Sequence, residues 1–501
     1  MEFIIKKLGG ENAAELDKSA KNIWEDFENG KIQAVVVSAI RSSEFNTTDK
    51  LIELWNLIWI KKVNINLIKE KIENLKNFHL NILDKKLLCS KTKIIDIVEA
   101  EFNFLLESIY YYLESKNNKI IPSISNDYSI KLKWNKKLSI LWFWEIVSCK
   151  IFSGVIDTIS SKWICSKSID LSNLIEEKEL VWKDSNEIFD FLSVKISDIV
   201  EHHIKWWKIP VLSGYIWSFK WWIEKNIWRG YSDATAAVCT VWLSWKWYPV
   251  ILEIQKSVIW FLSADPRILK KPNDAVCITK MDYLMAREIT WDNWAQAKLL
   301  HPQALRSKVQ EAWVKIHLFD PFSGHDGSWI VNELQTDEKD KICSWISFVW
   351  WRENVIFFSI SSWKMFEKWI LSDLFTIVKK YFSVDIISAS ETEITFTIDW
   401  NWKCDLKLEE MTREIRNELH MWENTFMEFV EYKKHKSLIF CVWKHMKDYI
   451  GLMAKVVNVL SENNINIEIA SQWRLQRSMI FGIKWTDMKK TVNLLHDKFI
   501  N

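Results

Sequence analysis

Glycine is scarce in this chain and tryptophan abundant, and that inversion constrains its fold more than any other feature: 501 residues carry 33 tryptophans and only 10 glycines. A soluble chain uses about 7% glycine, so roughly 35 are expected at this length. The tryptophans also occupy places suited to glycine, beside prolines, in polar turns and doubled in Phe219-Lys220-Trp221-Trp222-Ile223. A backbone with positive φ, or one that closes on a phosphate, needs a residue without a Cβ. We therefore read many of these tryptophans as UGA codons that the source organism decodes as glycine. The abundance of Ile, Lys and Asn marks an AT-rich gene, which fits such a reassignment. A truly aromatic-rich chain would still need turn glycines, and UGG codons at Trp144, Trp217 and Trp228 would contradict the reading.

The length predicts two or three domains, each able to bury a core. Lys and Arg (67) balance Asp and Glu (65) at a net charge of +2. They are spread along the chain, so nothing points to nucleic acid. The eight cysteines form no Cys-x-x-Cys pair and no His/Cys group has zinc spacing. A reduced, cytoplasmic protein without a metal site is expected, and His202-His203 reads as surface or core. No apolar run is long enough to span a bilayer. The N-terminus opens on Phe3-Ile4-Ile5 and turns at Gly9-Gly10, so neither export nor membrane insertion is expected.

Short apolar runs at Ile4-Ile5 and Ala34–Ser38, with a helical stretch from Asn12 to Glu28 between them, predict the start of a parallel α/β sheet. Leu51–Leu113 reads as a lysine-rich helical elaboration. Pro210–Gly214 and Val250–Ile254 read as further strands, each ending in a polar loop where open α/β sheets bind ligands. The loop Pro321–Gly327 marks the expected boundary. Beyond it a strand-helix-strand-strand rhythm occurs twice. The first copy is Val355–Ile360, Ile370–Tyr381, Val384–Ile387 and Glu393–Ile398; the second is Leu438–Val442, Gly451–Asn463, Asn466–Ile469 and Met479–Ile483. Such a repeat predicts paired ferredoxin-like modules, which commonly sense ligands.

Four constellations carry chemistry. Lys7-Leu8-Gly9-Gly10 follows a strand, with glycines that let backbone wrap a phosphate and a lysine to neutralise it; alone, a Gly-Gly turn is commonplace. Val36-Val37-Ser38-Ala39 runs on to Asn46-Thr47-Thr48-Asp49, hydroxyls able to hold a carboxylate or to cap a helix. Trp228-Arg229-Gly230-Tyr231-Ser232-Asp233 enters the small-residue helix Ala234–Ala237 and becomes Gly-Arg-Gly-Tyr-Ser-Asp if residue 228 is glycine. Its arginine can clamp a carboxylate in bidentate fashion. Ser263-Ala264-Asp265-Pro266-Arg267 and Lys298-Leu299-Leu300-His301-Pro302 supply cations and a rigid turn.

On these motifs, in this order and over nearly the whole length, the chain resembles the aspartate kinases of the amino-acid kinase family. The resemblance implies an α/β amino-acid kinase domain over residues 1–320 and two α+β ferredoxin-like ACT modules over 340–425 and 430–501, open to interleaving. It implies that Lys7 contacts the transferring phosphoryl group and that Asp233 organises the catalytic lysine. Ser38, Thr48, Glu145, Arg229 and Ser232 would hold aspartate. Lys7, Gly9, Gly10, Lys256, Ser257, Leu262, Arg267, Lys298 and Leu299 would hold ATP. Gly214-Tyr215-Ile216-Trp217 resembles the family's Gly-Phe-x-Gly turn, and Trp144 precedes Glu145 where the family has glycine. The chain departs from the family at Glu11-Asn12, which puts an anion where a hydroxyl pair is usual, at Leu262, and at Gln296.

The implied reaction moves the γ-phosphoryl group of ATP, with Mg²⁺, to the side chain of L-aspartate. The ACT repeats imply feedback by lysine or threonine, with Met365, Trp369, Asp373, Ser390 and Glu391 matching the effector pocket. They also imply a homodimer. Ending at Asn501, the chain is expected to be monofunctional. Two alternatives remain: another carboxylate kinase of this fold, and a non-catalytic amino-acid-binding regulator.

Overall fold

The computed structural model describes residues 3–42, 44–58, 64–86, 92–118, 138–160, 165–171, 179, 183, 185–214, 231–246, 249–257, 260–290, 299–332, 346–362, 370–400, 404–418, 428–443, 446, 450–472 and 477–500. Two compact units emerge. The first comprises residues 1–260, 279–283 and 299–333; the second comprises 261–278, 284–298 and 334–501.

The first unit begins with β1 (Phe3–Leu8), buried along its whole length as the interior strand of a parallel sheet must be. The helix expected over 12–28 is broken at Glu15 into α1 (Gly10–Ala14) and α2 (Leu16–Glu28). Leu16, Ala20, Ile23 and Trp24 form the buried face of α2. After β2 (Ile32–Val37), the lysine-rich region forms α3 (Thr47–Ile58), α4 (Ile65–Lys86) and α5 (Thr92–Asn118). There follow α6 (Leu138–Ile159), β3 (Ser166–Ile169), α7 (Ser185–Lys205), β4 (Ile209–Ser213), α8 (Tyr231–Lys246) and β5 (Val250–Gln255). A short hairpin of β6 (Phe261–Leu262) and β7 (Cys277–Ile278) belongs to the second unit. Then come β8 (Lys280–Asp282), α9 (Tyr283–Thr290), which from Leu284 onward belongs to the second unit, α10 (Ser307–Glu311), β9 (Lys315–Phe319) and β10 (Ser328–Val331).

The eight-stranded sheet has the order β3-β4-β2-β1-β5-β9-β10-β8. Its pairs are parallel except β9 with β10. The loop at 321–327 is the turn of that β9–β10 hairpin, shaped by Gly324 and Gly327 at positive φ. The expected boundary near residue 320 is therefore corrected: the sheet continues to Val331 and the first unit to 333.

In the second unit, β11 (Phe348–Ser361), α11 (Ile370–Tyr381), β12 (Ile387–Ala389), β13 (Glu393–Asp399), α12 (Asp405–Glu418), β14 (Phe429–Val442), α13 (Leu452–Glu462), β15 (Ile469–Gln472), β16 (Ser478–Lys484) and α14 (Met488–Phe499) follow in order. One antiparallel sheet, β12-β13-β11-β14-β16-β15, underlies them. Its two long strands are shared between two cores. Ile356, Phe358 and Ile360 of β11 and Val430 of β14 pack with α11 and α12. Val349 and Trp351 of β11 and Ile439 and Cys441 of β14 pack with α13 and α14.

The two modules are thus interleaved, and each extends the expected βαββ by a helix and a strand. The second module takes its fourth strand from upstream, at Phe348–Arg352. Two edge strands also move. The one expected at Val384–Ile387 is Ile387–Ala389, and the one expected at Asn466–Ile469 is Ile469–Gln472. Alternating apolar residues misplaced them: Ile386 is buried just before β12, and Ile467 packs against the core of the second module just before β15.

Candidate active site

The register of the first sheet lines up the ends of four strands. Leu8 stands opposite both Val37 and Gln255, and Val37 opposite Ser213. The next residues, Gly9, Ser38, Gly214 and Lys256, therefore form a row at the carboxyl edge, where open parallel sheets bind ligands. β1 is flanked by β2, which follows it in the chain, and by β5, which the chain reaches only after β4, so the strand order reverses at β1.

The row's two glycine turns have no room for a side chain. A Cβ on Gly9 would stand 2.8 Å from the carbonyl of Gln255, and one on Gly10 would overlap the Ala39 carbonyl and stand 2.7 Å from Cγ of Arg41. A Cβ on Gly214 would overlap Oε2 of Glu145 and lie 2.6 Å from Cβ of Ser232. Backbone, carboxylate and hydroxyl thus converge within one contact shell.

Asp233 is the electrostatic centre. It lies in the first turn of α8, whose Ala234, Ala236 and Ala237 are small and buried and let the helix approach the sheet. Lys7 Nζ lies 2.9 Å from Oδ1 and Lys256 Nζ 2.8 Å from Oδ2. The backbone N–H of His301 also donates to Oδ2, at 3.2 Å. Lys256 donates further to the carbonyl of Leu299. Burial alone would raise the pKa of Asp233, but Lys256 and Lys7 outweigh it and hold the carboxyl well below its usual range. Burial likewise draws Lys256 below its ordinary value, against the pull of Asp233.

Glu145, on α6, behaves in the opposite way. Burial pushes its carboxyl up to about 7, despite Lys7 and hydrogen bonds from the backbone of Ala39 and Gly214 and the hydroxyl of Ser38. Its Oε2 is enclosed and has no hydrogen-bond partner. Ser232 Oγ stands 3.4 Å from Ser38 Oγ, and Thr235 donates to the Gly214 carbonyl at 2.7 Å. A buried carboxylate with an unused oxygen, ringed by hydroxyls, is suited to a cationic ligand group. Trp144 turns its ring into the core, where it stacks on His79 with centroids 4.8 Å apart.

The structure brings Lys7, Gly9, Gly10, Ser38, Glu145, Ser232, Asp233, Lys256 and Leu299 together, and Ser257 follows Lys256 as an exposed residue. Thr48 lies in the first turn of α3, but its side chain lies outside the described residues, as do Arg229, Lys298, Met365 and Trp369. Leu262 and Arg267 belong to the second unit. There Arg267 chelates Asp265 (Nη2 to Oδ2 2.6 Å), and the hairpin is tied down by Ser263 Oγ to His496 Nε2 at 2.8 Å. The cluster in the first unit is built without those two residues.

Asp373 is exposed in the first turn of α11, and Ser390 and Glu391 form the β12–β13 turn, where the Ser390 hydroxyl accepts from the N–H of Glu393 at 3.0 Å. Sequence reasoning missed Arg41, whose backbone N–H donates to the Gly10 carbonyl at 3.1 Å and whose guanidinium approaches Glu11 at 3.7 Å. An arginine three residues past a strand end was its signal. That pairing offsets the anion that Glu11 places beside the glycine turn.

An ACT domain family model matches residues 439–499. The aspartokinase of Saccharomyces cerevisiae is 23% identical over 537 aligned positions, covering 100% of this chain and 93% of that protein. Aspartate kinase FUB3 of Gibberella fujikuroi is 21% identical, covering 99% and 97%. Among solved structures, the aspartate kinase of Clostridium acetobutylicum aligns with a TM-score of 0.69 at 16% identity, covering 99% of this chain and 100% of that one. Aspartokinase III of E. coli, solved with aspartate and ADP, aligns at 0.68 and 17% identity, covering 99% of each.

The fold is therefore that of the aspartate kinases of known structure, an α/β unit together with an antiparallel sheet that includes an ACT domain. More particularly, the chain is a homologue of the aspartokinases along its full length.

Proposed function

We propose that the chain is an aspartate kinase, which transfers the γ-phosphoryl group of ATP to the side-chain carboxylate of L-aspartate, releasing ADP and 4-phospho-L-aspartate. The observation that carries this reading is the buried Asp233 held between Lys7 and Lys256, on the same strand-end row as Glu145. No general base is required. A carboxylate with a pKa of about 3.9 is already the nucleophile at neutral pH, so catalysis reduces to alignment and charge cancellation. The carboxylate oxygen bonds to the γ-phosphorus as the bridging oxygen departs with ADP.

In this reading Asp233 holds both ammonium groups in place before substrates arrive. Lys7 then meets the transferring phosphoryl oxygens while Lys256 and Ser257 serve the nucleotide. The glycine turn offers backbone amides. Glu145 takes the ammonium of aspartate, which draws off the proton that burial favours, and Arg229 takes its α-carboxylate beside Ser38, Thr48 and Ser232. Both oxygens of Asp233 are engaged by lysines, so Mg²⁺ would be held chiefly by the nucleotide phosphates, whose charge it neutralises.

The ACT modules would bind lysine or threonine near Asp373, Ser390 and Glu391 and pair two chains into a homodimer, and the enzyme would work in the cytosol as an early step of amino-acid biosynthesis. Aspartate-dependent ADP release tests the reading, measured on the written chain and on a version with glycine at the recoded positions, with glutamate and acetylglutamate as rival acceptors. A folded glycine version that releases no ADP with aspartate would overturn it.

A further inference from the structure

We infer that residues 207 and 313 are glycine in the protein as its own cell makes it, and that the codon at each is UGA. The inference stands on backbone geometry and is independent of the proposed activity. Trp207 and Trp313 have φ of 52° and 55°, in the left-handed region. The other non-glycine residues there, among those described, are Asn354, His435 and Asn464. Asn and His are types that tolerate this region, whereas a bulky residue is a genuine outlier.

Both tryptophans end a helix in the same way. Trp207 N–H donates to the Ile204 carbonyl at 2.9 Å and Lys208 N–H to His203 at 3.1 Å. Trp313 N–H donates to Gln310 at 2.9 Å and Val314 N–H to Val309 at 3.4 Å. This crossed pair of bonds is the Schellman motif, whose left-handed position is usually glycine.

The first unit contains its own control. Helix α2 passes into β2 through Gly30, at φ 75°, where Gly30 N–H donates to Phe27 at 3.0 Å and Lys31 N–H to Asp26 at 3.1 Å. The turn from α7 to β4 through 207 and the turn from α10 to β9 through 313 repeat those bonds. One fold thus uses one turn three times, once with glycine and twice with tryptophan. Nor does packing account for the indoles: Trp207 is 80% exposed and Trp313 66% exposed.

Two experiments decide the matter. The first is the mass of the peptides spanning 207 and 313 in protein purified from the source organism. Each is expected to be lighter by the difference between an indolylmethyl group and a hydrogen, and tryptophan masses at both positions would overturn the inference. The second compares Trp207→Gly with Trp207→Ala, and the same pair at 313, in the chain expressed with tryptophan codons. Both changes remove the exposed indole, but only glycine relieves a positive φ. Glycine is expected to raise the unfolding midpoint above that of the alanine variant at each site. Equal midpoints would show that the backbone does not demand glycine there. As a corollary, the natural gene read in a host where UGA is a stop gives no product longer than residue 206.

Discussion

Glu145→Gln should make the substrate-free protein more stable above neutral pH while weakening its hold on aspartate. Burial raises the folded carboxyl from 4.5 to about 7. Between those values the folded chain binds more protons at this group than the unfolded chain does, so the group's contribution is complete below about 4.5 and is lost as pH rises toward 7. Each tenfold in proton affinity is worth roughly 1.4 kcal/mol, which bounds the loss at about 3 kcal/mol. Glutamine is neutral throughout and escapes it. Urea unfolding of both proteins from pH 4.5 to 8 should show the stability difference swinging in favour of the variant by up to that amount, then levelling off.

Aspartate binding should move the other way. An ammonium group left without its buried carboxylate costs about 3–5 kcal/mol, so KM for aspartate should rise about a hundredfold or more. In the parent protein the same KM should fall as pH rises from 5 to 7, because only the ionised carboxylate pairs with the ammonium. Parallel pH profiles for parent and variant, or an unchanged KM, would refute the assignment of Glu145.

Further outcomes are expected in the same cluster. Lys7→Met should lower kcat by about 10²–10³, the usual loss for one donor at a developing charge, with little effect on KM for aspartate; initial rates at saturating substrate check it. Gly214→Ala places a methyl against Glu145 and 2.6 Å from Cβ of Ser232 and should lower kcat/KM for aspartate at a stability cost of about 1–3 kcal/mol, read by kinetics and thermal melts. The backbone N–H of His301 donates to Asp233 at 3.2 Å, and the His301 ring holds that turn by accepting from the N–H of Gln303 at 3.2 Å. His301→Ala should therefore lower kcat, and His301→Asn, a good cap, should restore most of it.

Four of the eight strands of the first sheet, β1, β2, β4 and β5, were legible because each is a short apolar run ending at a polar turn, and the row of Gly9, Ser38, Gly214 and Lys256 follows from those ends. What the sequence hid was register. Nothing local says that Leu8, Val37, Ser213 and Gln255 stand level, yet that alignment puts Glu145 of one helix and Asp233 of another on the same site. The modules were harder for a related reason. A fourteen-residue strand such as β11 has one alternating pattern, but its halves serve different cores, and only the sheet order reveals the division. The edge strands slipped because isoleucines buried from loops share the spacing of a strand. Leu262 and Arg267 were assigned to the nucleotide by motif; in the fold they lie in the second unit, beside Ser263, which is fastened to His496.

The split between glycine and tryptophan codons does not follow structural need. Glycine is retained at Gly9, Gly10 and Gly214, where a Cβ would collide, and at Gly30, Gly324, Gly327 and Gly451, where φ is positive. Positions 207 and 313 make the same demand and are written as tryptophan. If both codon types deliver glycine, selection acts on the residue alone and the codon drifts freely, so a mixture within one structural class is the expected result. The argument extends to residues 215–230, which join Gly214 to Tyr231 and contain Trp217, Trp221, Trp222 and Trp228. In sequence this segment leads into Tyr231-Ser232-Asp233 and carries Arg229, and glycine at four of its positions would free backbone amides to bind an anion. The kinase reading and the recoding therefore meet in this segment: restoring glycine at these four positions alone should produce most of the gain in aspartate-dependent ADP release, while restoring it only at 207 and 313 should raise stability and leave the specific rate of the folded fraction unchanged.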